Sequence, residues 1–134
     1  MLPSPPLWLV FTLLRLGPQL AVDVAPTPRV SHRALEVVGG LDRAIVDRVI
    51  RHNHPSLRAC QRQAQRRDGA LPKGALRVRW FLGGKRRPSA VGIEDSGPRS
   101  EALRRCVVEA VKQWEHPDPR CTAQISATFV FTSE

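Results

Sequence analysis

The chain has 134 residues, which is enough for one domain and too few for two of ordinary size. Apolar residues make up 42% of it and charged residues 25%, which is typical of a globular protein and excludes a wholly disordered or collagen-like chain. The formal net charge is +9, and only three of the 21 basic residues are lysine. A basic balance favours anionic partners, but it bears on solubility and non-specific binding rather than on fold.

The N-terminal 25 residues contain an apolar run, Leu7 to Leu14, with the length of a signal-peptide core and too short to cross a bilayer. We therefore predict a signal peptide or hydrophobic N-terminal segment over 1–25, and a periplasmic or secreted protein. An uncleaved segment would anchor the chain and provide its only membrane contact, and a cytosolic tail is the third interpretation. Residues 26–38 contain two prolines and no sustained periodicity, which predicts a linker to a folded domain at 39–134.

Two segments have the apolar spacing of amphipathic helices. The first runs from Leu41 to Asp68 and is interrupted at His52-Asn53-His54-Pro55, because the residue before a proline avoids helical backbone angles. We interpret His52-Asn53-His54 as a polar junction between two helical pieces and expect Gly69 to end the second piece. The second segment follows Ser96-Gly97-Pro98, with Asp95 as the predicted N-cap, and ends before Pro117.

Three segments have the alternation of half-buried strands. Two of them form a predicted β-hairpin over residues 75–95, and the third is a predicted last strand over residues 122–131. The hairpin places Trp80 on its apolar face, where we expect it to be core. The fold class is therefore α+β, in the order helix, strand, strand, helix, strand, with two helices packed on one face of a three-stranded antiparallel sheet.

Short motifs in the second half of the chain carry a family likeness. They resemble the signature of the TonB C-terminal domain, and two cysteine-containing motifs look like the paired-cysteine variant known as the AgmX/PglI C-terminal domain of gliding bacteria. The likeness covers about Gly39 to Phe131 and implies the TonB helix and strand order. The residues that carry it are Asp95-Ser96-Gly97, Leu103, Ala110-Val111-Lys112-Gln113-Trp114 and Pro117, with Arg58-Ala59-Cys60 and Arg105-Cys106-Val107 for the variant.

In such a fold Cys60 and Cys106 fall on the apolar stripes of two neighbouring helices. We predict a disulfide between them, as is common in small exported domains, with buried free thiols as the alternative. Cys121 is then left over, and could cross-link to another chain, pair instead with Cys106 or be buried. The cysteine and histidine spacings do not favour a metal site, and no cofactor is expected. No catalytic motif stands out, so we predict that the protein is not an enzyme.

The leading functional hypothesis is a protein-interaction domain of the periplasm or cell envelope. The TonB resemblance implies that a partner segment adds as an extra strand beside the last strand. The side chains expected to meet this partner on the exposed face are Gln124, Ser126, Thr128 and Val130. The alternative is an ordinary edge strand that is protected by the C-terminal tail.

Two other classes of function are kept open. A basic surface could bind nucleic acid or another anionic polymer, although we do not expect nucleic acid to be the partner of an exported protein. The domain could also be a structural subunit of an envelope or motility complex, including a homodimer. The predicted basic surface comprises Arg77, Arg79, Lys85, Arg86 and Arg87.

Overall fold

The computed structural model describes residues 26–94, 97–117 and 122–134. Within these ranges the protein is α+β, with three helices and a four-stranded antiparallel sheet in the order β1-β4-β2-β3. No helix in these ranges has the length and apolar character needed to cross a membrane. The elements in chain order are β1 (Pro28–Gly39), α1 (Arg43–His52), α2 (His54–Asp68), β2 (Gly74–Gly83), β3 (Ala90–Ile93), α3 (Glu101–Lys112) and β4 (Thr122–Ser133).

The predicted linker at 26–38 is wrong, because most of it forms the first strand. β1 pairs with β4 at ten register positions, from Pro28 opposite Ser133 to Gly39 opposite Ala123. A bulge between Arg33 and Glu36 shifts the register, so the apolar alternation changes phase in mid-strand and is hard to see in the sequence. The sheet therefore has four strands where three were predicted.

The helices follow the predicted pattern with one shift. The first helical segment is broken at Asn53, and Gly69 ends α2 with a φ of 85°, as expected for a left-handed helix cap. α3 begins later than predicted: its N-cap is Ser100, whose hydroxyl accepts from the backbone N–H of Leu103 at 3.1 Å. Asp95, the predicted cap, lies outside the described residues.

The core lies between the helices and one face of the sheet. Trp80 is 1% exposed and contacts Trp114 edge to face, with ring centroids 5.7 Å apart, so its predicted place in the core is confirmed. No described helix covers the opposite face of the sheet, where Phe81 is 42% exposed. The buried apolar residues of the two central strands are Leu76, Val78, Trp80, Leu82, Ala123, Ile125, Ala127, Phe129 and Phe131.

Two buried polar side chains bind the core together. Gln61 donates from Nε2 to the carbonyls of Pro72 and Thr132, at 3.0 and 2.9 Å, and so fastens α2 to the end of β4. His116 accepts from Trp80 Nε1 at 3.1 Å and places Nδ1 3.2 Å from a backbone carbonyl, so the neutral ring carries its proton on Nδ1. Burial lowers the pKa of His116, because the charged imidazolium is poorly solvated there.

The predicted pairing of Cys60 with Cys106 is confirmed. The two sulfurs are bonded, and the Cα atoms are 5.5 Å apart, within the range of protein disulfides. The bond links α2 to α3 across 46 positions of sequence, on the helical side of the sheet. Cys121 lies outside the described residues.

Candidate strand-pairing edge

The predicted partner strand, β4, is not an edge of the sheet. It lies between β1 and β2, and it pairs with both along most of its length. The expectation that its main chain is free for strand addition is therefore wrong in this arrangement. Of its predicted partner-binding side chains, Gln124 is exposed, Thr128 and Val130 are half-buried, and Ser126 is buried with 6% exposure.

The two edges of the sheet differ in length. β3 has four residues and β1 has twelve. An edge strand presents unpaired N–H and C=O groups, and a longer edge offers more of them to another chain. β1 is therefore the larger template for strand pairing within the described part of the chain.

The hydrogen bonds at the start of β1 determine which of its main-chain groups face away from β4. The backbone N–H of Glu134 donates to the carbonyl of Thr27 at 3.1 Å, one step beyond the paired Pro28 and Ser133. In an antiparallel ladder bonded and non-bonded pairs alternate, so Arg29, Ser31 and Arg33 face β4. Pro28, Val30 and His32 therefore point their main-chain groups away from the sheet, and Pro28 has no N–H to offer.

A bulge divides this edge into two regularly paired runs, residues 28–33 and 36–39. Ala34 and Leu35 together oppose Ala127, and Ala34 has a φ of 54°, a left-handed conformation that is uncommon for a residue with a Cβ. Arg77 donates from Nη1 to the Ala34 carbonyl at 2.8 Å and holds the bulge from the open face. The longer run, residues 28–33, is the part of the edge best suited to pairing.

A groove of about 720 Å³ lies beside residues 31–35, the second half of this run and the bulge, between β1 and the first two helices. Its walls include Arg43 and Arg51 of α1, together with His54 at the start of α2. Side chains of a strand alternate between the two faces of a sheet. A strand added to β1 would thus direct every second side chain towards the helical side, where this groove lies.

Three titratable side chains form a hydrogen-bonded chain in the wall of the groove. His32 Nε2 lies 2.7 Å from Asp47 Oδ1, and His32 Nδ1 lies 2.9 Å from His54 Nε2. The His32 side chain is only 8% exposed. These hydrogen bonds join β1, α1 and α2, so they hold the edge strand against the helices.

The surroundings shift two of these groups. The hydrogen bond from His32 lowers the pKa of Asp47, and nearby Arg51 acts in the same direction. Burial lowers the pKa of His54, and the neighbouring His32 and the guanidinium of Arg58 reinforce the shift. At neutral pH His54 is therefore a neutral imidazole beside an ionised Asp47. The described residues contain no group of three or more histidine, cysteine or acidic side chains arranged to hold a metal ion.

The predicted basic surface is divided and partly neutralised. Arg77 lies 3.3 Å from Glu36 and also approaches Glu94, which forms an ion pair with Arg79. Lys85, Arg86 and Arg87 lie in the exposed turn between β2 and β3, where Arg87 is 3.5 Å from Glu115. Glu36, Glu94 and Glu115 therefore offset part of the positive charge of the predicted basic surface.

The sequence offered no signal for the histidine chain. His32 fell in the predicted linker, and His54 was assigned to a polar helix junction, so nothing brought them together with Asp47. Comparisons with known proteins do not supply a template, since no family model, curated protein or solved structure matches the chain.

Proposed function

We propose that this protein is a non-catalytic interaction domain of the cell envelope that captures an extended segment of a partner protein by strand addition at β1. The single observation that carries the proposal is the twelve-residue edge strand with a groove of about 720 Å³ along its helical side. The main chain of an edge provides affinity, and pockets for alternate side chains provide selectivity. The resemblance to the TonB C-terminal domain supports the same mode of binding, moved from the last strand to the first.

The hydrogen-bonding groups of the edge supply part of the free energy that partner binding requires. Within 28–33 the outward-facing groups are the carbonyl of Pro28 and both main-chain groups of Val30 and His32. Each net hydrogen bond contributes about 0.5–1.5 kcal/mol, so this run supplies a few kcal/mol. Side chains in the groove must supply the rest.

Two features support an envelope location. The apolar run in the first 25 residues has the length of a signal-peptide core. The Cys60–Cys106 disulfide is of a kind that persists in oxidising compartments and is rare in the cytosol. The proposal is not extended to nucleic acid, because Arg77 and Arg79 are engaged with Glu94 and Trp80 is too buried to stack on a base.

The test uses a proline that removes one outward N–H. Val30→Pro deletes a donor of the free edge without removing a bond to β4, and prolines are tolerated in edge strands in this orientation. Val30→Ala is the matched control, since it loses the same partly buried side chain but keeps the N–H. Both proteins are selected against a displayed library of random twelve-residue peptides alongside the wild type, after circular dichroism has shown that they fold.

We expect peptides that bind the wild type and Val30→Ala, and that bind Val30→Pro at least tenfold more weakly. Peptides that bind all three proteins equally would refute strand addition at β1, as would a selection that yields none. Sedimentation of the wild type identifies a homodimer. A dimer that Val30→Pro dissociates would show that a second copy occupies the edge in place of a partner peptide.

A further inference from the structure

We propose that the groove beside β1 selects partner segments with a carboxylate side chain directed towards α1. This inference rests on the proposed strand addition and names the chemistry of the partner. It concerns the helical side of the edge, which is separate from the basic turn between β2 and β3.

Cations line the edge on its helical side. Arg43 and Arg51 line the groove next to residues 31–35, and Arg58 lines a second cavity of about 400 Å³ next to residues 27–31. Neighbouring strands lie about 4.8 Å apart, so inward side chains of an added strand fall within reach of these long side chains. A guanidinium offers a planar set of donors that matches a carboxylate.

The acidic residues of the groove are already engaged. Asp47 accepts from His32 with one oxygen and lies 3.0 Å from Arg51 with the other. Asp42 caps α1 by accepting from the backbone N–H of Ala44 at 3.0 Å. In contrast, Arg43 makes no ion pair within the described residues, and the same holds for Arg58. The groove therefore has unused donors and few unused acceptors.

The hydrogen-bonded chain of Asp47, His32 and His54 can offset added negative charge by binding a proton. With both rings neutral, His32 donates to Asp47 and accepts from His54. One more proton can be bound at His54 without breaking the chain, because a doubly protonated His54 still donates from Nε2 to His32 Nδ1. A carboxylate in the groove favours that proton, whereas Arg51 and Arg58 oppose it and Asp47 supports it. Binding of an acidic segment should therefore be accompanied by proton uptake and should tighten as the pH falls towards the lowered pKa of His54.

The experiment starts from a peptide selected on the wild type and dependent on the N–H of residue 30. Its acidic position is changed from Glu to Gln, and both peptides are titrated by fluorescence anisotropy into the wild type, Arg43→Gln and Arg48→Gln. Arg48 is the matched control, because it is an exposed arginine of the same helix outside the groove. We expect the Gln peptide to bind the wild type and Arg48→Gln about fivefold more weakly, and a much smaller difference with Arg43→Gln.

The outcomes separate this inference from the function on which it rests. Selected peptides that depend on the N–H of residue 30 but lack acidic residues at alternate positions would overturn the inference and leave strand addition standing. Equal binding of the Glu and Gln peptides to the wild type would do the same. Absence of any peptide that depends on this N–H would overturn strand addition itself, and with it the inference.

Discussion

Removal of the cross-link between the two packed helices should strongly destabilise the domain. Replacing Cys60 and Cys106 by alanine opens a loop defined by a sequence separation of 46 residues. For that length the chain-entropy relation gives about 4 kcal/mol at 25 °C. Because the free energy of unfolding of a domain is about 5–15 kcal/mol, this loss would remove between about a quarter and four-fifths of the stability.

The measurement is urea unfolding followed by circular dichroism, comparing the oxidised wild type, the double alanine variant and the wild type under reductant. We expect the two proteins without the bond to unfold at similar, much lower urea concentrations. Their dependence of free energy on urea should be steeper, since an unfolded chain without the cross-link exposes more surface. A loss below about 1 kcal/mol with an unchanged slope would refute the loop-entropy reasoning.

Three further changes test other parts of the structure. Acidification from pH 7 to 5 should lower the melting temperature, because the lowered pKa of His116 means that the unfolded state binds this proton first, below about pH 6.5; a His116→Gln variant with the same pH dependence would contradict this. Gln61→Leu should cost about 1–3 kcal/mol in urea unfolding, because it removes both hydrogen bonds of the buried amide and leaves the Pro72 carbonyl without that donor; an unchanged midpoint would argue against those bonds. Ala34→Gly should leave stability unchanged or raise it by up to about 1 kcal/mol, whereas Ala59→Gly on the exposed side of α2 should lower it by about 1 kcal/mol; equal losses would show that Ala34 is unstrained.

The elements that the sequence predicts well are those with an uninterrupted pattern and clear boundaries. The end of α2 at Gly69 follows from a local backbone preference that tertiary packing did not override. The helix break falls at Asn53, one residue earlier than the proline rule predicts, because His54 already belongs to α2. The alternation from Leu76 to Leu82 continues through a whole strand, so the burial of Trp80 could be read directly. The cysteine pairing followed once two apolar helix faces were assumed to be neighbours.

β1 was not predicted because its alternation of apolar and polar residues is interrupted in the middle of the strand. The bulge at Ala34 reverses the alternation, and His32, a polar residue, occupies one of the inward positions. Its inward side chain is satisfied by Asp47 and His54, which belong to two other elements, so no local window of sequence contains the reason for its burial. The same long-range contacts form the wall of the candidate groove, which is why the site was missed together with the strand.

The error about β1 and the error about the binding edge have one cause. A strand can accept a partner only where its main chain is unpaired, and that depends on the order of strands in the sheet rather than on which strand comes last. Because β1 pairs with β4, the unpaired main-chain groups at this edge of the sheet belong to β1 and include those of Val30 and His32. His32 then serves two purposes, because its main chain faces outwards while its side chain is held by Asp47 and His54. A partner segment that adds at this edge, as proposed, would therefore bind the main chain of the residue whose side chain joins the sheet to α1 and α2.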